Sequence, residues 1–211
     1  MKEWPNSHPK ANAMRRKRAQ ILSAAKEVFL KSGFAGSSMD EIAARAGVSL
    51  MTLYRHSQSK DDLFAAVVSG ACTPKDDAER AYLEGLMDLP LEEVLRLSAI
   101  HIQVVLVHPE TIALIRVAMT ETKAFPHLTD QAYQGFVQHF EEIAGWIIRE
   151  KAAGHAYSDA RVENAARVFT NRILSGDIIR LLFGQPPPTK EAMETYAAVA
   201  RDEALRELER G

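Results

Sequence analysis

A chain of 211 residues, 46% hydrophobic and 26% charged, can bury one large core or a small one plus a larger one, which excludes disorder throughout. Its net charge of −2 conceals an asymmetry: residues 1–70 carry 11 Lys/Arg and 6 Asp/Glu, net +5, whereas residues 71–211 carry 15 and 22, net −7. A basic N-terminal third on an acidic remainder implies that one end alone meets a polyanion.

Residues 1–13, with Pro5 and Pro9 among polar neighbours, read as a flexible tail. The opening stretch "MKEWPNSHPKANAMRRKR" has no apolar run of the secretory-signal kind. From Arg15 to Lys31, Ile21, Ala25, Val28 and Phe29 recur at three- and four-residue steps and predict a helix that Gly33 stops. Ser38 with Glu41 is a capping box and opens a short helix over Met39–Arg45. Gly47 ends the turn after it, and Ser49 caps the next helix, about 49–56. Ser59, with Asp61 and Asp62 in the first turn, starts a fourth.

Beyond Thr73-Pro74 the spacing predicts longer helices over about 75–87, 91–107, 109–123, 128–153, 158–184 and 189–209. Leu89-Pro90, His108-Pro109, Phe125-Pro126, Gly154 and "GQPPP" (Gly184 to Pro188) mark the breaks. No sustained period-two alternation and no Asn-Gly or Asp-Gly hairpin turn occurs, so the fold class is all-α. The expected organisation is a tail at 1–13, a three-helix helix-turn-helix domain at 14–73 and a larger helical domain at 74–211. No apolar run approaches the roughly 18 to 20 residues that cross a bilayer, so no membrane partner is expected. The single cysteine, Cys72, has no internal partner; a reducing cytoplasm fits it, and a passive small residue outweighs a redox sensor there.

Ser38 to Ser57 carries the chemistry. Two short helices that cross steeply need small residues at the crossing, and Ala43 and Gly47, four apart, supply them. Ile42, Ala46, Val48 and Leu53 hold the pair against the first helix, leaving Ser49, Leu50, Thr52, Tyr54 and Arg55 at the outside or a groove edge. A plain αα-corner in a helical bundle satisfies the same spacing.

A specific resemblance goes further. "RAQILSAAKEVFLKSGFAGSSMDEIAARAGVSLMTLYRHSQSKDDLF" is similar to the N-terminal domain of the TetR family of transcriptional regulators, through "ILxAAxxxFxxxG", "IAxxAGVSxxTLY" and "SKxxLF" in order at fixed separations. "HPETIALIRVAMTETKAFP" resembles one C-terminal subgroup of that family. The resemblance implies a DNA-binding head followed by an effector-binding and dimerisation domain. It places Thr52 and Tyr54 against DNA backbone or base edges, and Ser38 and Lys60 at phosphate. Arg15, Arg16, Lys17 and Arg18 would reach the backbone or a minor groove, though a solvated charge run is an equal alternative. Ser49, Arg55 and His56 complete the implied DNA-facing set with Leu50 and Met51.

Two positions depart from the family. Ser57 stands where phenylalanine usually packs under the fourth helix, which puts the rigidity of that junction in doubt. Leu50 replaces a residue that is often polar or basic. Phosphate contacts supply most affinity and base edges supply selectivity. Leu50 and Met51 cannot hydrogen-bond a guanine but can pack on thymine methyls, so A·T pairs are expected under the helix tip.

The family's two-fold dimer finds a candidate surface in two stripes. Val162, Ala166, Phe169, Ile173 and Gly176 form one, and Met193, Ala197, Ala200, Ala204 and Leu208 the other. They make a four-helix interface between copies or, alternatively, bury in their own subunit's core. A dimer implies an inverted-repeat operator on double-stranded DNA. For a small apolar or amphipathic effector, the helices offer His101, Gln103, Arg116, Met119, Phe125, Phe140, Trp146, Phe169 and Asn171, each of which taken singly is more often ordinary core than pocket lining.

Enzyme readings lack their companions. There is no His-Glu-x-x-His, the histidines do not cluster as metal ligands, and Ser57-Gln-Ser-Lys60 fits S-x-x-K without its partner motifs. No cofactor, metal or catalytic residue is expected. Three readings stand: a ligand-released repressor, a DNA-binding regulator governed by a protein partner or by abundance, and an interaction module or enzyme on the same scaffold.

Overall fold

The computed structural model describes residues 9–71, 77–152, 157–175 and 177–210. Among these the secondary structure is helical, with no strand. In chain order the helices are α1 (Pro9–Ser32), α2 (Met39–Arg45), α3 (Leu50–His56), α4 (Lys60–Ala71), α5 (Asp77–Leu86), α6 (Leu91–Leu106), α7 (Pro109–Glu121) and α8 (Pro126–Tyr133). A π-helical stretch, Gln134–Gln138, leads into α9 (His139–Lys151), followed by α10 (Asp159–Leu174), α11 (Asp177–Leu182) and α12 (Lys190–Glu209). The chain forms two compact units: Met1–Ala71 with Ala113–Ala132, and Cys72–Ile112 with Tyr133–Gly211.

In the first unit, α2 and α3 form as their caps require. The Ser38 hydroxyl accepts from the amide of Glu41, and the Ser49 hydroxyl from that of Thr52. Gly47, at φ +61°, takes the left-handed conformation of the turn, and Val48 then donates back to the carbonyl of Ala43 at 3.0 Å. Phe29, Phe34 and Phe64 meet pairwise with ring centroids 5.3–5.9 Å apart, all fully buried with Ile21, Ile42, Leu53 and Leu63. Phe125 adds a fourth ring, edge-on to Phe34 at 5.0 Å, and Leu128 is wholly buried. Glu121 accepts from the amide of Ala35 at 3.0 Å, and His127 pairs with Asp61.

The second unit is built on α6, α9, α10 and α12, with α12 packed on α10 and α6, and α10 on α9. Alanines make the close approaches: Ala197, Ala200 and Ala204 on α12 and Ala165 and Ala166 on α10 are buried. Arg96 of α6 joins Glu93 and Glu194 of α12, each at 2.6 Å. Gln103 of α6 donates to the carbonyls of Ala99 and Met193.

Several boundaries differ from the expected ones. The first helix begins at Pro9, inside the expected tail, because proline is at ease in a helix's first turn, where its missing N–H has no role. Residues 1–8 lie outside the described residues, as do Cys72 and Gly176. The helix expected over 128–153 is interrupted by the π-helical stretch, and that over 158–184 is two helices, α10 ending at Leu174 and α11 starting at Asp177. The segment Ala113–Ala132, which the sequence reading counted with the C-terminal domain, packs with the head.

Candidate nucleic-acid interface

The head presents α3 and the flanking caps outward. Met51 is 77% exposed and Tyr54 47%, whereas Leu53, on the same helix, is fully buried. Ser49 and Arg55 are exposed, and Leu50, Thr52 and His56 half-buried. The Ser49 and Thr52 hydroxyls lie 2.8 Å apart, so one hydrogen bond locks the polar pair at the helix tip beside the apolar Leu50 and Met51. Ser38 is exposed at the cap of α2, its oxygen accepting from Glu41 and its O–H proton left over. A ridge of methyls and rings flanked by hydroxyls is what a base-edge reader with phosphate anchors requires.

Cations border this surface unequally. Arg15, Arg16 and Arg18 on α1 are exposed and Lys17 half-buried. Arg15 bonds Asn12, Lys17 reaches Gln20 at 3.1 Å, and Arg18 leans on the carbonyl of His56 at 3.4 Å. Burial first, then the charges of Arg18, Arg55 and Lys17, hold the His56 imidazole below its ordinary pKa. Lys60 is turned inward: its ammonium donates to the carbonyls of Phe34 at 2.6 Å and Ser37 at 2.8 Å. It also lies 4.3 Å over the Phe34 ring, so two of its three N–H bonds are committed before any phosphate arrives.

Two fixing contacts escaped the sequence reading. Gln20 donates to the carbonyl of Ala46 at 2.8 Å, tying α1 to the turn before α3. Glu121 closes over Ala35 and Gly33 from a position 86 residues away in sequence. Only the apolar spacing around Gln20 hinted at the first; nothing local marks the second.

The residues nominated for an effector do not all fall together. Arg116, Met119 and Phe125 belong to the head unit, with Arg116 and Met119 exposed and Phe125 against Phe34. His101, Gln103, Phe140, Trp146, Phe169 and Asn171 lie in the second unit. There Phe140, Phe169 and Gln103 are buried, His101 is 3.8 Å from Glu79, and Trp146 and Asn171 are exposed. Gln103 and Ile173 help line a void of about 10 Å³. That is the space of one water, not of an organic ligand. Thr170 on α10, which the sequence reading passed over, is fully buried with its hydroxyl oxygen unpartnered.

The stripes nominated for a dimer are used within one copy. Val162, Ala166, Phe169 and Ile173 on α10 and Ala197, Ala200, Ala204 and Leu208 on α12 are buried, and Met193 is half-buried. Side chains already buried in a single copy have little area left for a second. The large apolar side chains left in water include Ile179 on α11, 60% exposed, and Phe183 just beyond it, 82% exposed.

Among the described residues no group of three or more His, Cys, Asp or Glu is placed to hold a metal, and no single helix is long and apolar enough to cross a membrane.

Comparison with known proteins bears on this surface. Residues 21–67 match the family described as bacterial regulatory proteins, tetR family, and residues 93–206 match the AefR-like transcriptional repressor, C-terminal domain. The chain is 52% identical over 52 residues to the HTH-type transcriptional activator FasR of Mycolicibacterium smegmatis, covering 25% of this chain and 24% of that protein. It is 38% identical over 60 residues to the HTH-type transcriptional repressor BepR of Brucella suis, covering 28% and 29%. The matched stretches thus span under a third of the length of these curated relatives. Among solved structures, the flavonoid-responsive regulator FrrA aligns with TM-score 0.64 and 26% identity over 93% of this chain and all of that one. A TetR-family transcriptional regulator from Mesorhizobium loti aligns with TM-score 0.70 and 23% identity over 91% and 96%, a likeness of fold.

Proposed function

The chain belongs to the TetR family of DNA-binding transcriptional regulators, and on that premise we propose that it is a homodimeric cytoplasmic repressor that holds an inverted-repeat operator and leaves it when a small apolar or amphipathic effector binds. The observation that carries this is the pairing of an exposed, hydroxyl-flanked α3 with a C-terminal portion matched over 93–206 to a repressor domain. Arg15, Arg16, Arg18 and Arg55 supply phosphate contacts, with Ser38, Ser49, Thr52 and Tyr54 as hydrogen-bonding groups. Lys60 serves the phosphate only with its remaining N–H, and Leu50 and Met51 read thymine methyls. A second copy covers the exposed Ile179 and Phe183, and the pair presents its two α3 helices about 34 Å apart, one turn of the duplex.

The effector enters the second unit beside Thr170, whose buried hydroxyl lacks a partner, and widens the packing there. It must favour one of two arrangements of the protein, since equal affinity for both shifts nothing. The test is a mobility shift on duplexes from the flanking genomic sequence, with and without lipophilic compounds that raise the melting temperature. Binding lost steeply with salt and reversed by a hit supports the reading; no binding to any duplex at low salt refutes it. In a second reading the same regulator answers to a protein partner or to its own abundance. In that case no compound releases the duplex.

A further inference from the structure

The turn between α2 and α3 sets the direction in which α3 leaves. Its amides at Ala46, Gly47 and Val48 turn back to the carbonyls of Ile42, Ala44 and Ala43 at 2.8–3.1 Å. The carbonyl of Ala46 sits at the C-cap of α2, beside the left-handed Gly47. A helix's final carbonyls need partners from outside the helix. That of Ala46 finds one on α1, in the Nε2 of Gln20 at 2.8 Å. A Cβ added at Gly47 would lie 3.9 Å from the same nitrogen, so the carboxamide is laid over the turn itself.

The other end of that carboxamide is also engaged. Lys17, one turn earlier on α1, donates to the Oε1 of Gln20 at 3.1 Å. An ammonium only donates and a carbonyl only accepts, so both partners fix the same orientation of the amide. Hydrogen bonds in such a chain polarise one another, here with a cation at the head. Lys17 commits one of its three N–H bonds to Gln20 and keeps two. A phosphate that meets Lys17 is thereby joined, through Gln20, to the backbone of the turn.

Two other polar ties run from α1, and neither makes this connection. Arg45 at the end of α2 donates to Glu27 at 2.7 Å, but both side chains are long and exposed, and such pairs hold little. Arg18 reaches the far end of α3, at the carbonyl of His56, only at 3.4 Å.

We propose that Gln20 is a positioning residue for base reading. Held by Lys17 on one side and bonded to the Ala46 carbonyl on the other, it couples the grip of α1 on the DNA backbone to the setting of α3 over the bases. Gln20 touches no base itself. The inference rests on the reading in which α3 meets the base edges.

The experiment uses the full chain, a duplex that it selects from a random pool, and a shuffled duplex of equal length and composition at the same salt. Gln20→Met keeps the length of an exposed side chain and removes both hydrogen bonds. It should weaken the selected duplex about fivefold for each head engaged, the worth of one neutral hydrogen bond, and leave the shuffled one within about twofold. Gln20→Glu accepts from Lys17 but cannot donate to Ala46, and should lower the ratio of the two affinities in the same way. Gln20→Arg donates to Ala46 and should restore that ratio, its added charge raising both affinities alike. Lys17→Met should lower the ratio in the unaltered chain and leave it unmoved in the Gln20→Met background.

A ratio untouched by Gln20→Met and Gln20→Glu overturns the proposal. So does an equal fall on both duplexes at matched folded fraction, which a purely structural tie would give, or a Gln20→Arg ratio no better than that of Gln20→Met. A Lys17→Met effect on the ratio that is the same in both backgrounds removes the coupling. If the unaltered chain selects no sequence, the reading helix is lost and the proposal with it. Selection without any effect of Gln20 strikes the proposal alone.

Discussion

The Lys60 ammonium is 2.6 Å from the carbonyl oxygen of Phe34 and 4.3 Å above that residue's ring. One side chain therefore closes the loop between α1 and α2, satisfies a second carbonyl at Ser37, and caps an aromatic cluster.

Replacing it separates a structural from a DNA-contacting role. Lys60→Gln should lower head stability by about 1.5–3 kcal/mol, the range for a hydrogen-bonded charge. At matched folded fraction, its duplex affinity should fall less than that of Arg18→Ala. A salt slope reduced by about one unit in Lys60→Gln with no change in melting temperature would reverse the assignment.

Gly33 combines a φ of +70° with an added Cβ only 3.1 Å from the Glu121 carboxylate. Gly33→Ala should cost about 1–2 kcal/mol from the backbone alone. The pair Gly33→Ala with Glu121→Ala should recover the crowding part and leave the backbone part, which a double-mutant cycle of thermal melts measures.

The tip of α3 predicts its own footprint. With Met51 77% exposed beside Leu50, changing a contacted thymine to uracil should weaken binding about fourfold, the worth of one buried methyl near 0.8 kcal/mol. Protection confined to G·C pairs beneath this helix would contradict the apolar reading.

His56 gives the head an acid dependence of known sign. Its folded pKa lies below the unfolded 6.5, through burial first and then through Arg18, Arg55 and Lys17. The unfolded chain thus protonates first as pH falls. Its contribution to stability is full above 6.5 and is lost as pH falls from there through the folded value. His56→Asn should flatten the melting temperature in that window and leave neutral pH nearly unchanged.

Phe183, 82% exposed, and Ile179, 60%, are the test of self-association. Phe183→Glu should shift sedimentation toward the monomer and leave the monomer's stability within about 0.5 kcal/mol, as surface substitutions do. An unchanged dimer places the contact elsewhere.

The helix-turn-helix was legible because its signals are local: Ser38 and Ser49 cap what they precede, and Gly47 takes the positive φ that its turn needs. The alanine stripe of α12 was legible as close packing but not as to whose helix it packs on, since Ala197, Ala200 and Ala204 suit α10 and α6 of the same copy as well as a partner. Pro9 misled because proline is permitted in a helix's first turn and forbidden only inside. The contacts of Glu121 and Phe125 on the head were invisible, for they join positions about 90 residues apart in the chain and no periodicity reports them.

Those same long-range contacts set a limit on dissection. A fragment ending at Ala71 would lack Phe125, Leu128 and the Glu121 carboxylate, stripping one face from Phe34 and its acceptor from the Ala35 amide. Transplanting this reader onto another protein therefore requires carrying the returning helical segment 113–132 along with it.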